Sequence, residues 1–420
     1  MALPLTQIRQ DFPILQERID GHPLIYLDST ATAQKPDVVL QAMEHFYRHD
    51  NGNAHRGMHV LAERATVALE GARAAVQTFI HAKRPDDIIF TKNCTEAINL
   101  VAKCFSTEKI AGADRNRHLL TKGDTIILSV LEHHANIVPW LQLMEERGVE
   151  LRWIDIDDEG RLKLDQLDRY LAEGTARLVA MTAQSNVLGI RPPLKEIIRK
   201  AHAAGAKVLV DAAQSIAHQK TDVTALDCDF LAFSGHKLYG PLGIGVLYGK
   251  HHLLEAMPAF LGGGMMIHEV HADHFSTADL PQKFEAGSQP IAEAVGLRAA
   301  IEWMAQFSWE EIEEHDRALL QMSFQELGAI PGLRFLGPQE PAEDVAGCAS
   351  FTIEGVHPHD LTDILGKRGI CLRAGHHCTQ PLHRRLGIPA STRVSFGIYN
   401  TPEEIQLLAA AIKEILRRFL

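Results

Sequence analysis

What the 420-residue chain lacks narrows its possibilities before any motif is read. No segment stays apolar and uncharged for the roughly 18 residues that a membrane-spanning helix needs. Met1 to Gln16 has none of the basic, apolar and small-residue succession of a secretory signal, so a cytoplasmic location is the expectation. Basic blocks are missing too, and with a net charge of −11 nothing in the sequence attracts nucleic acid or an acidic membrane surface. Cysteine is sparse: six residues with no C-x-x-C pair argue against a disulfide framework and against a cysteine-rich zinc site. Internal repeats and low-complexity tracts are absent. What remains, 46% hydrophobic and 23% charged, is the composition of a globular protein with a large core and more than one domain. Histidine, at 23 residues, is in unusual supply. His268, His271 and His274 have a spacing that could suit a metal, but Gly262-Gly263-Gly264 just upstream favours a solvated hairpin, and no metal is expected.

The chain reads as three parts: an N-terminal arm (1–25), a large domain (26–295) and a small α+β domain (296–420). Leu24 to Asp28 is extended, with helical periodicity following around Val38 to His49 and Leu61 to Ile80. From residue 86 apolar, β-rich runs alternate with amphipathic stretches. The runs are Asp87 to Thr91, Thr125 to Val130, Leu151 to Ile156, Arg177 to Thr182, Lys207 to Val210, Phe230 to Phe233 and Ile244 to Tyr248. That rhythm predicts an α/β fold, a mainly parallel seven-stranded sheet with helices on both faces. The last two runs lie close enough together to be antiparallel. One long helical stretch, Ile291 to Leu327, then leads to strands at Ala349 to Ile353, Gly369 to Arg373 and Arg393 to Ile398. A capping box, Thr401-Pro402-Glu403-Glu404, opens a terminal helix. A cleft between two such domains is a usual place for a ligand.

Open parallel sheets bind ligands beyond the carboxyl ends of their strands. After Phe233 comes Ser234-Gly235-His236-Lys237, where a partly desolvated amine could form a Schiff base with an aldehyde, though a solvated surface lysine is the plainer reading. After Val210 comes Asp211, with Gln214 three residues on. Its carboxylate could pair with a protonated pyridine nitrogen, or simply cap a helix. After Val130 comes Glu132-His133-His134-Ala135-Asn136, an imidazole to stack on a ring or an exposed histidine pair. After Thr91 comes Asn93-Cys94-Thr95-Glu96, a helix start able to cradle phosphate, with Thr95 equally able to be only the cap. Ser234 and His236 could complete that cradle, and Asn186 follows the run to Thr182. Each signal is weak alone; together they describe a site for pyridoxal 5'-phosphate.

A second chemistry lies in Arg373-Ala374-Gly375-His376-His377-Cys378-Thr379-Gln380-Pro381. Imidazolium and arginine charge beside an exposed loop cysteine would favour its thiolate, and an arginine fork suits a substrate carboxylate. Zinc on His376, His377 and Cys378 competes poorly, because adjacent residues seldom converge on one tetrahedral centre.

The motifs Tyr26-Leu27-Asp28-Ser29, His55-Arg56-Gly57, Glu132 to Asn136, Ser185-Asn186-Val187-Leu188-Gly189, Asp211-Ala212-Ala213-Gln214, Ser234 to Lys237, Phe284-Glu285-Ala286-Gly287 and Arg373 to Cys378 occur in order along nearly the whole chain. In this the sequence resembles the cysteine desulfurases, specifically the Suf-type, selenocysteine lyase-like branch. The resemblance implies a homodimeric fold-type I pyridoxal phosphate enzyme that takes sulfur from L-cysteine, or L-selenocysteine as an alternative, and serves iron–sulfur cluster assembly through a SufE- or SufU-like acceptor. By position it implies that Lys237 bears the cofactor, His133 stacks on it, Asp211 and Gln214 tune it, and Cys94, Thr95, Ser234 and His236 hold its phosphate. Arg373 and Asn186 would contact substrate, Cys378 would receive the sulfur, and His55, Arg56 and Ser288 would reach the partner subunit's site. The family usually has threonine at Ser288, and threonine or alanine at Cys94. About ten residues, Ile110 to Leu119, resemble an insertion.

Overall fold

A computed structural model describes residues 3–55, 57–108, 116 and 118–419. Arg56, and positions 110–115 and 117 of the expected insertion, lie outside the described residues.

The seven apolar runs form one sheet: β1 (Ile88–Thr91), β2 (Thr125–Ser129), β3 (Glu150–Ile154), β4 (Ala176–Thr182), β5 (Lys207–Asp211), β6 (Phe230–Ser234) and β7 (Gly245–Gly249). Every residue of β1, β2, β6 and β7 is buried, as strands covered on both faces must be. The strand order is β1-β7-β6-β5-β4-β2-β3. β7 is antiparallel to both its neighbours, and all other pairs are parallel. The loop from Ser234 to Gly245 is too short for the crossover helix a parallel partner requires, so the chain turns back on itself. Because β7 reverses twice over, β1 runs the same way as β6. The carboxyl ends of β1, β2, β4, β5 and β6 therefore share one edge, and the order switches direction between β2 and β4, where such sheets open a crevice.

The periodic stretch Ile291 to Leu327 is two helices, Ile291–Met304 and Trp309–Gly328. A capping box ends the continuity: Ser308 Oγ accepts from Glu311 N–H at 3.2 Å while the Glu311 carboxylate accepts from Ser308 N–H at 3.1 Å. Apolar spacing continues across the break and hides it from a periodicity reading.

A second, antiparallel sheet holds β8 (Leu333–Phe335), β9 (Cys348–Ile353), β10 (Arg373–Gly375) and β11 (Ser391–Ser395) in the order β8-β9-β11-β10. The single strand expected at Gly369 to Arg373 is divided. Ile370–Cys371 pairs in parallel with Ile25–Tyr26, and only Arg373–Gly375 joins β11. That stitch sets Asp28 beside Arg373. A hydrophobic cluster built on Phe351, Phe396, Leu408 and Ile412 also takes in Leu27, Leu131 and Val187, so loops from the carboxyl edge of the large sheet are packed against the C-terminal region. Phe12 packs against Trp303 and Tyr399, with ring centroids 5.3 and 4.7 Å away, and against Tyr239 at 6.0 Å, which fixes the N-terminal residues to both parts.

Candidate active site

A cavity of about 240 Å³ opens at the shared carboxyl edge. Its walls include Cys94 and Thr95 after β1, His133 after β2, Asn186 after β4, Asp211 and Gln214 at and after β5, and Ser234, His236 and Lys237 after β6. Lys237 ends a one-turn 3₁₀ helix, Gly235–Lys237, that starts where β6 stops. Gly235 is required there, since a Cβ would lie 2.7 Å from Ile244 Cγ2. No described residue accepts from Lys237 Nζ. Burial lowers the amine's basicity, against the pull of the Asp211 carboxylate. Asp211 Oδ1 accepts from Ala213 N–H at 2.9 Å and from the Cys94 thiol at 3.3 Å, while Oδ2 has no partner among the described residues. Burial raises the Asp211 carboxyl above its ordinary range, with Lys237 opposing. Gln214 is fixed by its Nε2, which donates to Thr30 O at 3.1 Å.

His133 accepts from Ala135 N–H at its Nδ1, 3.1 Å away. Burial, then the charge of Lys237, holds the ring neutral with a pKa down to about 3. A neutral ring accepting at Nδ1 carries its proton on Nε2. Behind it Glu132 is wholly buried. Its two oxygens meet Ser129 Oγ at 2.5 Å and Asn136 Nδ2 at 2.7 Å, and Asn136 in turn accepts from Trp140 Nε1 at 3.0 Å. This chain of bonds sets the turn that presents His133.

At the other end of the cavity the helix Cys94–Ser106 begins. Its cap is Asn93, whose side chain accepts from Glu96 N–H at 2.9 Å, and Thr95 does not serve as the cap. Cys94 N–H donates to Ser234 Oγ at 2.8 Å, and the Thr95 N–H is unclaimed among the described residues. Gly245 lets this turn approach: a Cβ there would fall 2.4 Å from Asn93 Cα. His236 Nδ1 lies 3.1 Å from Thr32 Oγ1, and burial lowers its pKa to about 4. Two residues expected to reach the partner subunit's site lie outside this chain's own cavity. Ser288 lines a separate hollow with Lys92, Glu96 and Gln289. His55 lies 3.4 Å from Glu70.

The turn 376–379 hangs beside the cavity. Asn186 Nδ2 donates to His377 O and His134 N–H to Cys378 O, both at 2.8 Å. Cys378 is exposed, whereas Cys94, Cys104, Cys228 and Cys348 are buried. The sequence argument for activating its thiol by adjacent cations does not hold for its nearest neighbour. His377 is buried with Nε2 3.0 Å from Ser391 Oγ, and burial drives its pKa to about 2, so it is a neutral ring turned into the core. Arg373 is engaged with Asp28, Nε at 3.0 Å and Nη2 at 2.9 Å, leaving Nη1 free of described partners.

Sequence reasoning passed over Arg393. This fully buried arginine of β11 donates Nη2 to Asp28 Oδ1 at 3.1 Å and Nη1 to Asn186 O at 3.0 Å, and its Nε has no partner among the described residues. Two guanidiniums share one carboxylate, so one positive charge beside the cavity is unbalanced. The available signal was an arginine within the stretch Arg393 to Ile398 already expected to be a strand; all of Ser391 to Ser395 is buried.

An enclosed amine without a partner, a carboxylate oxygen without a partner, a neutral imidazole and an unclaimed helix N-terminal amide suit an aldehyde, a pyridine nitrogen, an aromatic face and a phosphate. The residues fit pyridoxal 5'-phosphate, and site and sheet together define the class: a fold-type I pyridoxal phosphate enzyme. Within that class the chain belongs to the aminotransferase class-V family, whose pattern matches residues 25–408. It is similar to the cysteine desulfurase of Dickeya dadantii, 48% identical over 99% of this chain and 97% of that one. A probable cysteine desulfurase of Synechocystis sp. is 46% identical over 98% of this chain and 96% of its own length. Among solved structures, the cysteine desulfurase CsdA of Escherichia coli superposes with a TM-score of 0.88 at 40% identity, over 99% of both chains.

Proposed function

We propose that the chain is a cysteine desulfurase, which moves the sulfur of L-cysteine onto its own Cys378 and releases L-alanine. The observation that carries this reading is the tethered turn that sets an exposed thiol beside a cavity containing an enclosed amine. An aminotransferase on the same scaffold has no use for such a thiol. The names of the similar proteins point the same way.

In this reading Asp211 Oδ2 and Gln214 would hold the ring of the cofactor, with His133 beside it, and Thr95, Cys94, Ser234 and His236 would hold its phosphate. Bound pyridoxal phosphate supplies an electron sink that makes the substrate's Cα proton acidic. Lys237 Nζ, made less basic by burial, takes that proton. Arg373 Nη1 and the buried Arg393, with their surplus charge, grip the substrate carboxylate, and Asn186 borders it. Cys378 Sγ, as thiolate, attacks the substrate sulfur. A sulfur–sulfur bond forms, the carbon–sulfur bond breaks, and the carbon keeps the bonding pair and gains a proton. L-cysteine and a thiol become L-alanine and a persulfide, so no outside oxidant is needed.

The enzyme works as a homodimer in which His55, Arg56 and Ser288 serve the partner's site. The exposed apolar side chains of Met58, Val60, Val67 and Leu242 support a covered face. Exposure of Cys378 suits delivery to a SufE- or SufU-like acceptor for iron–sulfur cluster assembly in the cytoplasm. The test is mass spectrometry after L-cysteine treatment, which should find one added sulfur on Cys378. Cys378→Ser should stop alanine release from L-cysteine, and Lys237→Ala should remove the visible absorption of bound cofactor. If the serine variant makes alanine as fast as the parent, the reading is wrong. Turnover of L-selenocysteine in parallel decides which chalcogen is preferred.

A further inference from the structure

The turn that carries Cys378 is held in a costly shape. His377 and Cys378 have φ of 49° and 57°, two consecutive side-chain-bearing residues in the left-handed region that favours glycine. The Nδ1 atoms of His376 and His377 are both buried without a hydrogen-bond partner among the described residues. A turn left to itself would relax from this arrangement, so something must oppose the relaxation. Three bonds from outside the turn do. Asn186 Nδ2 donates to His377 O at 2.8 Å, His134 N–H donates to Cys378 O at 2.8 Å, and His134 Nε2 accepts from Gln380 N–H at 3.1 Å. His134 thus grips both sides of the cysteine, through its backbone on one side and its ring on the other. Gln380 is the first residue of the helix Gln380–Arg385, whose cap residue Thr379 makes no side-chain cap bond, so the imidazole does the capping.

We propose that His134 is a positioning residue for the sulfur-accepting thiol: its ring is the latch that keeps the strained 376–380 turn closed over the cavity. The inference rests on the reading of Cys378 as the sulfur acceptor. The bond from Gln380 N–H shows Nε2 accepting, and burial, with His376 and Arg384 nearby, lowers the ring's pKa in the same sense. The neighbouring His133 cannot substitute, since its Nδ1 is taken by Ala135. Release of the latch lets the turn relax and carries the thiol away from the substrate sulfur. Binding of L-cysteine is spared, because Arg373 and Arg393 do not touch His134.

The test compares the holoenzyme with His134→Ala and His134→Gln, since the glutamine Oε1 falls near the place of Nε2 and restores the acceptor. Hydrogen exchange over 376–386 reads the latch itself, and alanine formation from L-cysteine reads its effect. The alanine variant should exchange the Gln380 amide several-fold faster and lose roughly tenfold or more in kcat with little change in KM, as expected for a displaced reacting group. The glutamine variant should recover both. Unchanged exchange in the alanine variant overturns the latch. Faster exchange with undiminished kcat overturns the positioning role. If the parent enzyme itself takes no sulfur on Cys378, the desulfurase reading fails instead, a result visible in the mass spectrum before any variant is made.

Discussion

Glu132→Gln separates a buried acid from a buried anion. Glu132 is fully buried, and burial raises its carboxyl from 4.5 to about 8, although Ser129 and Asn136 bond to it. The unfolded chain releases this proton near pH 4.5, whereas the folded chain keeps it to about pH 8. The stability that Glu132 contributes is therefore complete below the lower value and is lost as pH rises through the upper one. At about 1.4 kcal/mol per pKa unit, the loss across that window is about 5 kcal/mol. Glutamine reproduces the protonated acid: Nε2 can donate to Ser129 Oγ, Oε1 can accept from Asn136, and nothing ionises. Urea unfolding of parent and variant should match within about 1 kcal/mol near pH 5, and the variant should gain several kcal/mol near pH 8.5. Groups not coupled to Glu132 cancel in the difference; the one charge that faces it among the described residues is Asp211. A difference that does not change with pH would show that Glu132 is ionised in the folded protein and would refute the buried-acid reading.

Two further outcomes follow from buried charge. Arg73, wholly buried, is held by Glu285 at 2.7 and 2.9 Å, and Glu285 also accepts from Phe90 N–H at 2.7 Å. Glu70 also lies 3.0 Å from Arg73 Nε, so Glu285→Ala leaves the guanidinium with one partner fewer; it should cost about 3 kcal/mol in urea unfolding, and adding Arg73→Met should recover part of it, because a buried charge that has lost a partner is expensive. If the double variant is less stable than Glu285→Ala, the ion pair matters for some other reason. Arg393→Gln should raise KM for L-cysteine roughly 10- to 150-fold, the loss of a charge-assisted hydrogen bond of about 1.5–3 kcal/mol. An unchanged KM, with circular dichroism like the parent's, would leave Arg373 as the sole carboxylate anchor.

Some of this molecule is local and some is not. The strands were legible because burial on both faces demands continuous apolar runs, as in Ile126-Ile127-Leu128 and Phe230 to Phe233. Candidate cofactor residues were legible because a parallel sheet presents ligands just past its strands, so Asp211 and Lys237 could be found by counting from the end of a run. The helix break at Ser308 went unread because a cap is a single polar residue within a periodicity that does not stop. The splitting of Gly369 to Arg373 went unread because strand partners some 340 residues apart leave no local mark.

The sequence by itself determined the elements, the edge on which they end and the residue types offered there. Only the tertiary structure decided how those residues are used. It paired Asp28 with Arg373 and Arg393, turned His377 into the core as a neutral ring, and gave the capping of Asn93 to one helix and of His134 to another. The physical reason is that propensity and periodicity act between near neighbours, whereas charge state and hydrogen-bond partnership depend on what burial brings together from distant parts of the chain.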